Sequence, residues 1–218
     1  MTDLLTTLFQ TIVLTVLISI GILRTITLKQ REWLLITIYY FSYFLGDLYY
    51  LLIVFFYDDI PRFGHIAEFS WLSSYLALVL LMNSVGGEGR YYKSRLLWLV
   101  LLFTGASYIY FIQFGDYVYE FICDSTMTIV MIFAIRNLLY LRRKGIRSES
   151  RWVFRLSMCM VTLEYCEWYS SGIWYEDDTF SNPYYIFEFI IPVFMALFFP
   201  VISRVMKEKN PVGERGIS

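Results

Sequence analysis

Seven carboxylates stand in stretches of sequence that are otherwise almost entirely apolar: Asp47, Glu68, Glu120, Asp124, Glu164, Glu167 and Glu188. An ionisable group at membrane depth is costly unless it is paired, hydrated or facing a polar cavity, so seven of them in one chain point to a function. Glu120 and Asp124 are spaced i,i+4, and Glu164 and Glu167 i,i+3, which puts each pair on one face of a helix. His65 and Glu68 form a third pair at i,i+3. Aromatic residues surround the acids: Trp71 and Tyr75 follow Glu68, Trp168 follows Glu167, and Tyr43, Tyr49 and Tyr50 flank Asp47. Carboxylates beside Trp and Tyr faces are the components of a cation-binding box for amine or quaternary ammonium groups.

The elements that must position these side chains are membrane helices. Of the 218 residues, 58% are hydrophobic and 17% charged, and the mean hydropathy is +0.55. A water-soluble domain carries about 25% charged residues, so a soluble enzyme or a nucleic-acid binder is excluded. With 20% aromatic residues the chain is also no disordered segment. Seven stretches have the length and apolarity of a bilayer span, at residues 4–23, 33–57, 66–85, 96–114, 117–135, 153–175 and 184–202. They are too long and too evenly apolar for the alternating strands of a membrane β-barrel. The first lacks a preceding basic residue and a small-residue cleavage site, so it reads as a retained helix rather than a secretion signal. The sequence therefore predicts an all-α, polytopic membrane protein: one domain of seven transmembrane helices.

Basic residues fix the expected orientation, because they accumulate on the cytoplasmic side. Every one of the 18 Lys and Arg residues except Arg62 falls in the connections after spans one, three, five and seven, or at helix ends beside them. The opposite connections carry Asp58, Asp59, Asp116, Glu176, Asp177 and Asp178. This predicts an outer amino end and a cytoplasmic carboxyl end in a bacterial inner or plasma membrane. With that orientation Glu68, Glu120 and Glu188 lie about one helical turn below the outer surface. Asp47, Asp124, Glu164 and Glu167 lie nearer the middle, so the acids describe a depression opening outward. The positive-inside rule by itself accounts for the basic connection 136–155, and attraction of anionic lipid or docking of a cytoplasmic partner is the alternative reading of the same charge. Pro192 should kink the seventh span.

Other chemistry finds little support. Cys123, Cys159 and Cys166 lie within spans as small buried residues, and they form no disulfide framework. One His and three scattered Cys give no ligand spacing, so no metal is expected. No cofactor is expected either, because there is no phosphate-binding Gly-rich loop. Rhodopsin-type retinal proteins need a Lys in the last span, and residues 184–202 contain none. Zinc-dependent membrane hydrolases of the alkaline ceramidase type need several His ligands, and His65 stands alone.

Two resemblances bear on activity. The stretch Phe44-Leu45-Gly46-Asp47-Leu48-Tyr49-Tyr50, then Pro61, then Glu68, Trp71 and Tyr75, resembles multi-span sensory domains that precede bacterial diguanylate cyclases and kinases. That likeness covers residues 44–76, and it implies that Asp47, Glu68, Trp71 and Tyr75 line a sensing pocket and that a separate partner carries the signal. The segments Phe44-Leu45-Gly46-Asp47 and Phe121-Ile122-Cys123-Asp124-Ser125 are similar to features of lysoplasmalogenase-type membrane hydrolases. This second likeness implies Asp47 and Asp124 as proton donor and water-activating base. It departs from the family in span number, in Cys123 standing for Ser, and in the spacing around span three.

The expectation is thus a small-ligand sensor or binding module with an outward acidic and aromatic pocket. Its ligand-binding residues are Asp47, His65, Glu68, Trp71, Tyr75, Glu120, Asp124, Glu164, Glu167, Trp168 and Glu188. A hydrolase of lysolipids using Asp47 and Asp124 is the alternative, and a small transporter, with a homodimer forming the path, the third.

Overall fold

Long runs of Leu, Ile, Val and Phe leave their backbone N–H and C=O groups with no polar partners nearby, and an α-helix satisfies those groups locally. The computed structural model describes residues 2–57, 65–89, 91–113, 117–173, 179 and 181–209. It contains seven α-helices among the described residues: α1 (Thr2–Leu28), α2 (Arg31–Tyr57), α3 (His65–Gly86), α4 (Leu96–Phe111), α5 (Tyr117–Lys144), α6 (Ser150–Ile173) and α7 (Pro183–Lys209). A 3-10 turn at Gly87–Gly89 follows α3. Each expected span falls on one helix. Several helices run past the apolar stretch on the basic side: α1 to Leu28, α5 to Lys144 and α7 to Lys209. The helical hydrogen-bond ladder continues through Lys and Arg, which are good helix formers, so hydropathy marks the lipid-facing length rather than the helix end.

Five of the seven helices, α1, α2, α3, α5 and α7, are long and apolar enough to cross a membrane. The helix α4 has 16 residues and ends at Phe111 rather than at the expected position 114, a length of about 24 Å at 1.5 Å per residue. The helix α6 dilutes its apolar residues with Arg151, Arg155, Glu164 and Glu167.

Local signals explain the ends. Before α7, Asn182 accepts the Tyr184 N–H on its side-chain oxygen at 2.9 Å, and Pro183 occupies the first helical position, where no N–H is needed. At the end of α5, Gly145 adopts a φ of 65°. Its N–H bonds the Arg142 carbonyl at 3.2 Å, and the Ile146 N–H bonds the Leu141 carbonyl at 3.0 Å. That paired reach back over the last turn is the Schellman arrangement, which glycine permits without steric cost. Within α1, the hydroxyls of Thr11, Thr15, Ser19 and Thr25 donate to carbonyls four residues back, which hides their polarity inside the helix.

The helices form a ring in which α1 packs on α2, α2 on α3, α3 on α5 and α6, α6 on α7, and α7 back on α1. The helix α4 lies outside it, against α5. The core is a cluster of aliphatic and aromatic side chains, with Leu14, Ile36, Tyr39, Leu78, Met82, Phe154 and Phe198 fully enclosed. Large apolar residues such as Phe55, Phe56, Trp98, Leu102 and Ile109 cover the outside as well. A helix bundle that is apolar within and without is suited to a lipid surround, and the chain has the character of a membrane protein.

Neighbouring elements alternate in direction, which gathers the ends of α3, α5 and α7 and the starts of α2 and α6 at one end of the bundle, where Lys and Arg stand beside Glu32, Glu149 and Glu208. At the basic end Lys209 Nζ donates to Glu32 Oε1 at 3.0 Å and to the Ser84 carbonyl at 2.6 Å, tying together α7, α2 and α3. Beside it the Gly89 N–H bonds Asn137 Oδ1 at 2.9 Å, which holds the turn after α3 against α5.

Candidate functional site

At the other end, the start of α1, the second half of α2, the start of α3, the end of α6 and the start of α7 surround a cavity of about 120 Å³. Four carboxylates from three helices line it: Asp47, Glu164, Glu167 and Glu188. No Lys or Arg is in the lining among the described residues. All four acids are withdrawn from the surface, with Asp47 2%, Glu164 5%, Glu167 8% and Glu188 5% exposed.

Asp47, Glu164 and Glu188 are each oriented by an aromatic donor. Trp71 Nε1 in α3 donates to Asp47 Oδ1 at 2.8 Å. Tyr43 Oη, one turn before Asp47 on α2, donates to Glu164 Oε1 at 2.9 Å. Tyr184 Oη donates to Glu188 Oε1 at 3.1 Å, one helical turn along α7. The second oxygens of Asp47 and Glu167 are buried with no hydrogen-bond partner among the described residues. The rings form the remaining wall: Tyr43 and Trp71 are tilted against each other at 6.4 Å, and the edge of Phe111 fixes Trp168 at 5.7 Å.

The local sequence accounts for this placement. Gly46 precedes Asp47 because α2 and α3 approach closely there: a Cβ at position 46 would meet the Trp71 indole nitrogen, and would lie 2.9 Å from the Ala67 carbonyl oxygen. The i,i+3 spacing of Glu164 and Glu167 delivers both acids to the same wall. Pro192 lies one turn beyond Glu188 and contributes no amide to the α7 ladder.

The expected acids divide into two groups. Asp47, Glu164, Glu167 and Glu188 share the cavity with Trp71 and Trp168. Tyr75 is buried with its hydroxyl close to Glu164. Glu68, Glu120 and Asp124 are not in the cavity lining; they lie within electrostatic reach of the buried Cys123 on α5. Asp124 accepts a hydrogen bond from Tyr165 Oη at 2.9 Å. Asp47 and Asp124 therefore belong to different surroundings. His65 opens α3, and its side chain lies outside the described residues, as do Arg62 and the acidic connections at 58–59, 116 and 176–178.

Thr7, Gln10, Tyr43, Tyr50 and Tyr184 line the cavity without having been expected as ligands. Thr7 and Gln10 carry a legible signal: with Thr6 and Thr11 they form a polar, buried face on an otherwise apolar helix, and polar faces of membrane helices turn inward. Among the described residues, no three His, Cys, Asp or Glu side chains are grouped to hold a metal ion. The cysteines are free, with Cys123 buried, Cys166 half-buried and Cys159 exposed.

The site can therefore accept positive charge, hold a donor of hydrogen bonds against carboxylate oxygens, and face a methylated cation with aromatic rings. No protein-family model, no curated protein and no solved structure matches the chain.

Proposed function

We infer that the protein is a seven-span membrane protein, with its amino end outside, that binds a small organic cation in the acidic and aromatic cavity. It serves as a sensor or binding module and passes its state to a separate partner. The observation that carries this reading is the convergence of Asp47, Glu164, Glu167 and Glu188 on one cavity with no basic residue in its lining among the described residues. A cation supplies the charge that such a lining lacks, and the rings of Trp71, Trp168 and Tyr43 offer it π faces. The volume of about 120 Å³ sets the size of the ligand. Liquid water occupies about 30 Å³ per molecule, so the cavity suits the head of an amine or a methylated ammonium group and not a whole lipid.

The orientation follows the separation of charge along the bundle, with Arg142, Arg143, Lys144, Lys207 and Lys209 at the end opposite the cavity. Counting α4 and α6 as spans rests on their position in the alternating order of the helices, since each is joined to neighbours that have the length to cross.

Thermal unfolding of the purified protein in detergent, with methylamine, trimethylamine, choline and lysophosphatidylcholine as probes, tests the reading. At least one of the amines raises the melting temperature of the wild type and leaves Asp47→Asn and Glu164→Gln unmoved. If no probe shifts the wild type, or if both variants respond as it does, the cavity is no cation site.

A further inference from the structure

A second concave surface lies at the opposite end of the bundle, where α5 gives way to α6. Arg142, Arg147, Arg151 and Arg155 line a groove of about 650 Å³, whose floor is made by Leu138, Leu139 and Leu141. No carboxylate lines it, and no salt bridge engages these four guanidinium groups among the described residues. We propose that this groove binds the headgroup of an anionic phospholipid, with the phosphate held between the arginines and the start of an acyl chain lying on the leucines.

Three features favour a lipid over a soluble anion. First, the groove is at the end of α5, one of the helices with the length and apolarity to cross a bilayer, so it sits at the depth where lipid phosphates are found. Second, Leu138, Leu139, Leu141 and Ile146 share the lining with the arginines, and an inorganic anion has no use for aliphatic side chains. Third, the exposed Trp152 ring lies beside it with Arg155 stacked on it at 4.7 Å, an amphipathic pair suited to the headgroup region.

The groove is also built rather than merely charged. The Schellman closure at Gly145 turns the chain sharply, so that Ile146 folds back to line the groove beside Leu141. The same closure satisfies the Leu141 and Arg142 carbonyls, which would otherwise oppose an anion at a helix C-terminus. Arg151 is held in place by donating from Nε to the Ser148 carbonyl at 3.2 Å. Glu208 of α7 fixes the turn by accepting the Glu149 N–H at 2.7 Å and the Ser148 hydroxyl at 3.1 Å. Planar guanidinium groups fork onto phosphate oxygens better than ammonium groups do, and all four cations here are arginine.

The inference rests on α5 crossing the bilayer and is independent of the cation cavity. It is tested by native mass spectrometry of the purified protein titrated with phosphatidylglycerol, cardiolipin and phosphatidylcholine. The wild type is expected to retain the two anionic lipids and release phosphatidylcholine, and Arg142→Gln with Arg151→Gln should weaken retention roughly ten- to thirtyfold. The control removes the same charge outside the groove, with Arg143→Gln and Lys144→Gln; Arg143 donates to Tyr92 Oη instead. It should retain anionic lipid as the wild type does. Arg147→Gln with Arg155→Gln reads the same groove should the first pair fail to fold. Equal losses from the groove and control pairs would mean diffuse attraction and would overturn the site. Displacement of the lipid by glycerol phosphate at comparable concentration would make it a soluble-anion site and would overturn the lipid assignment.

Discussion

Trp71 on α3 reaches across the helix interface and gives its indole N–H to Asp47 Oδ1 on α2 at 2.8 Å, while Asp47 Oδ2 is buried without a hydrogen-bond partner among the described residues. One carboxylate is thus half committed to the fold and half available to whatever enters the cavity. That division of labour adds to the cation reading, and it can be probed without knowing the ligand.

Replacing Trp71 by Phe keeps a ring at the interface and removes the donor. Asp47 would then have neither oxygen engaged, and stability should fall by about 1–2 kcal/mol, the range for a hydrogen bond to a buried polar group between membrane helices. Unfolding in detergent measures it. In an Asp47→Ala background, where no acceptor is left for the indole, the same substitution should cost less, because the two residues act as a pair. Strictly additive losses would show that the bond carries no energy.

Gly46 tests the spacing that makes this bond possible. In Gly46→Ala the new methyl group would lie 2.7 Å from Trp71 Cδ1 and 2.9 Å from the Ala67 carbonyl oxygen, so the two helices must part or the indole must move. The expected cost is about 1–3 kcal/mol, together with loss of the amine-induced rise in melting temperature. Gly105 on α4 is the comparison, since a Cβ there meets nothing within 4 Å. Gly105→Ala should leave stability unchanged or raise it by up to about 1 kcal/mol, the helix-propensity gain. Equal behaviour of the two alanine variants would contradict the close approach of α2 and α3.

Asp124 offers a way to separate the two acid groups. Its Oδ1 takes a hydrogen bond from Tyr165, and its Oδ2 is buried with no partner among the described residues. Tyr165→Phe should destabilise the bundle by about 1–2 kcal/mol. Because neither residue lines the cavity, the melting-temperature shift with amines should be the same in size as that of the wild type. A lost shift would join Asp124 to the cation site and restore a role for it beside Asp47.

Much of this arrangement was legible in the residues, for identifiable reasons. Helix existence followed from apolar length, and the pairing of Glu164 with Glu167 followed from their i,i+3 spacing, which fixes a shared face whatever the tertiary structure. What spacing leaves open is the rotation of each helix about its axis. In a soluble helix the apolar stripe reveals that rotation, but here both faces are apolar, as in α4 and α5, and the stripe vanishes. Glu120 and Asp124 consequently look from their sequence like partners of Asp47, whereas neither is in the cavity lining and Asp124 takes a hydrogen bond from Tyr165 on α6. Tyr184 reads as an ordinary interfacial aromatic until α7 is seen to bring it to Glu188. Thr7 and Gln10 escaped because α1 contains no ionisable residue at that depth, although their polar face carried the information.

The cavity draws Thr7 and Gln10 from α1 and Tyr184 and Glu188 from α7, and α7 closes the ring between α6 and α1. This has a consequence for biosynthesis. While the ribosome is still extending the chain through α6, the first helix waits in the bilayer with its polar face uncovered and the cavity has one wall missing. A ligand of the proposed cavity would steady the protein only once α7 supplies Tyr184 and Glu188, so a nascent chain stalled before position 183 should gain no protection from it.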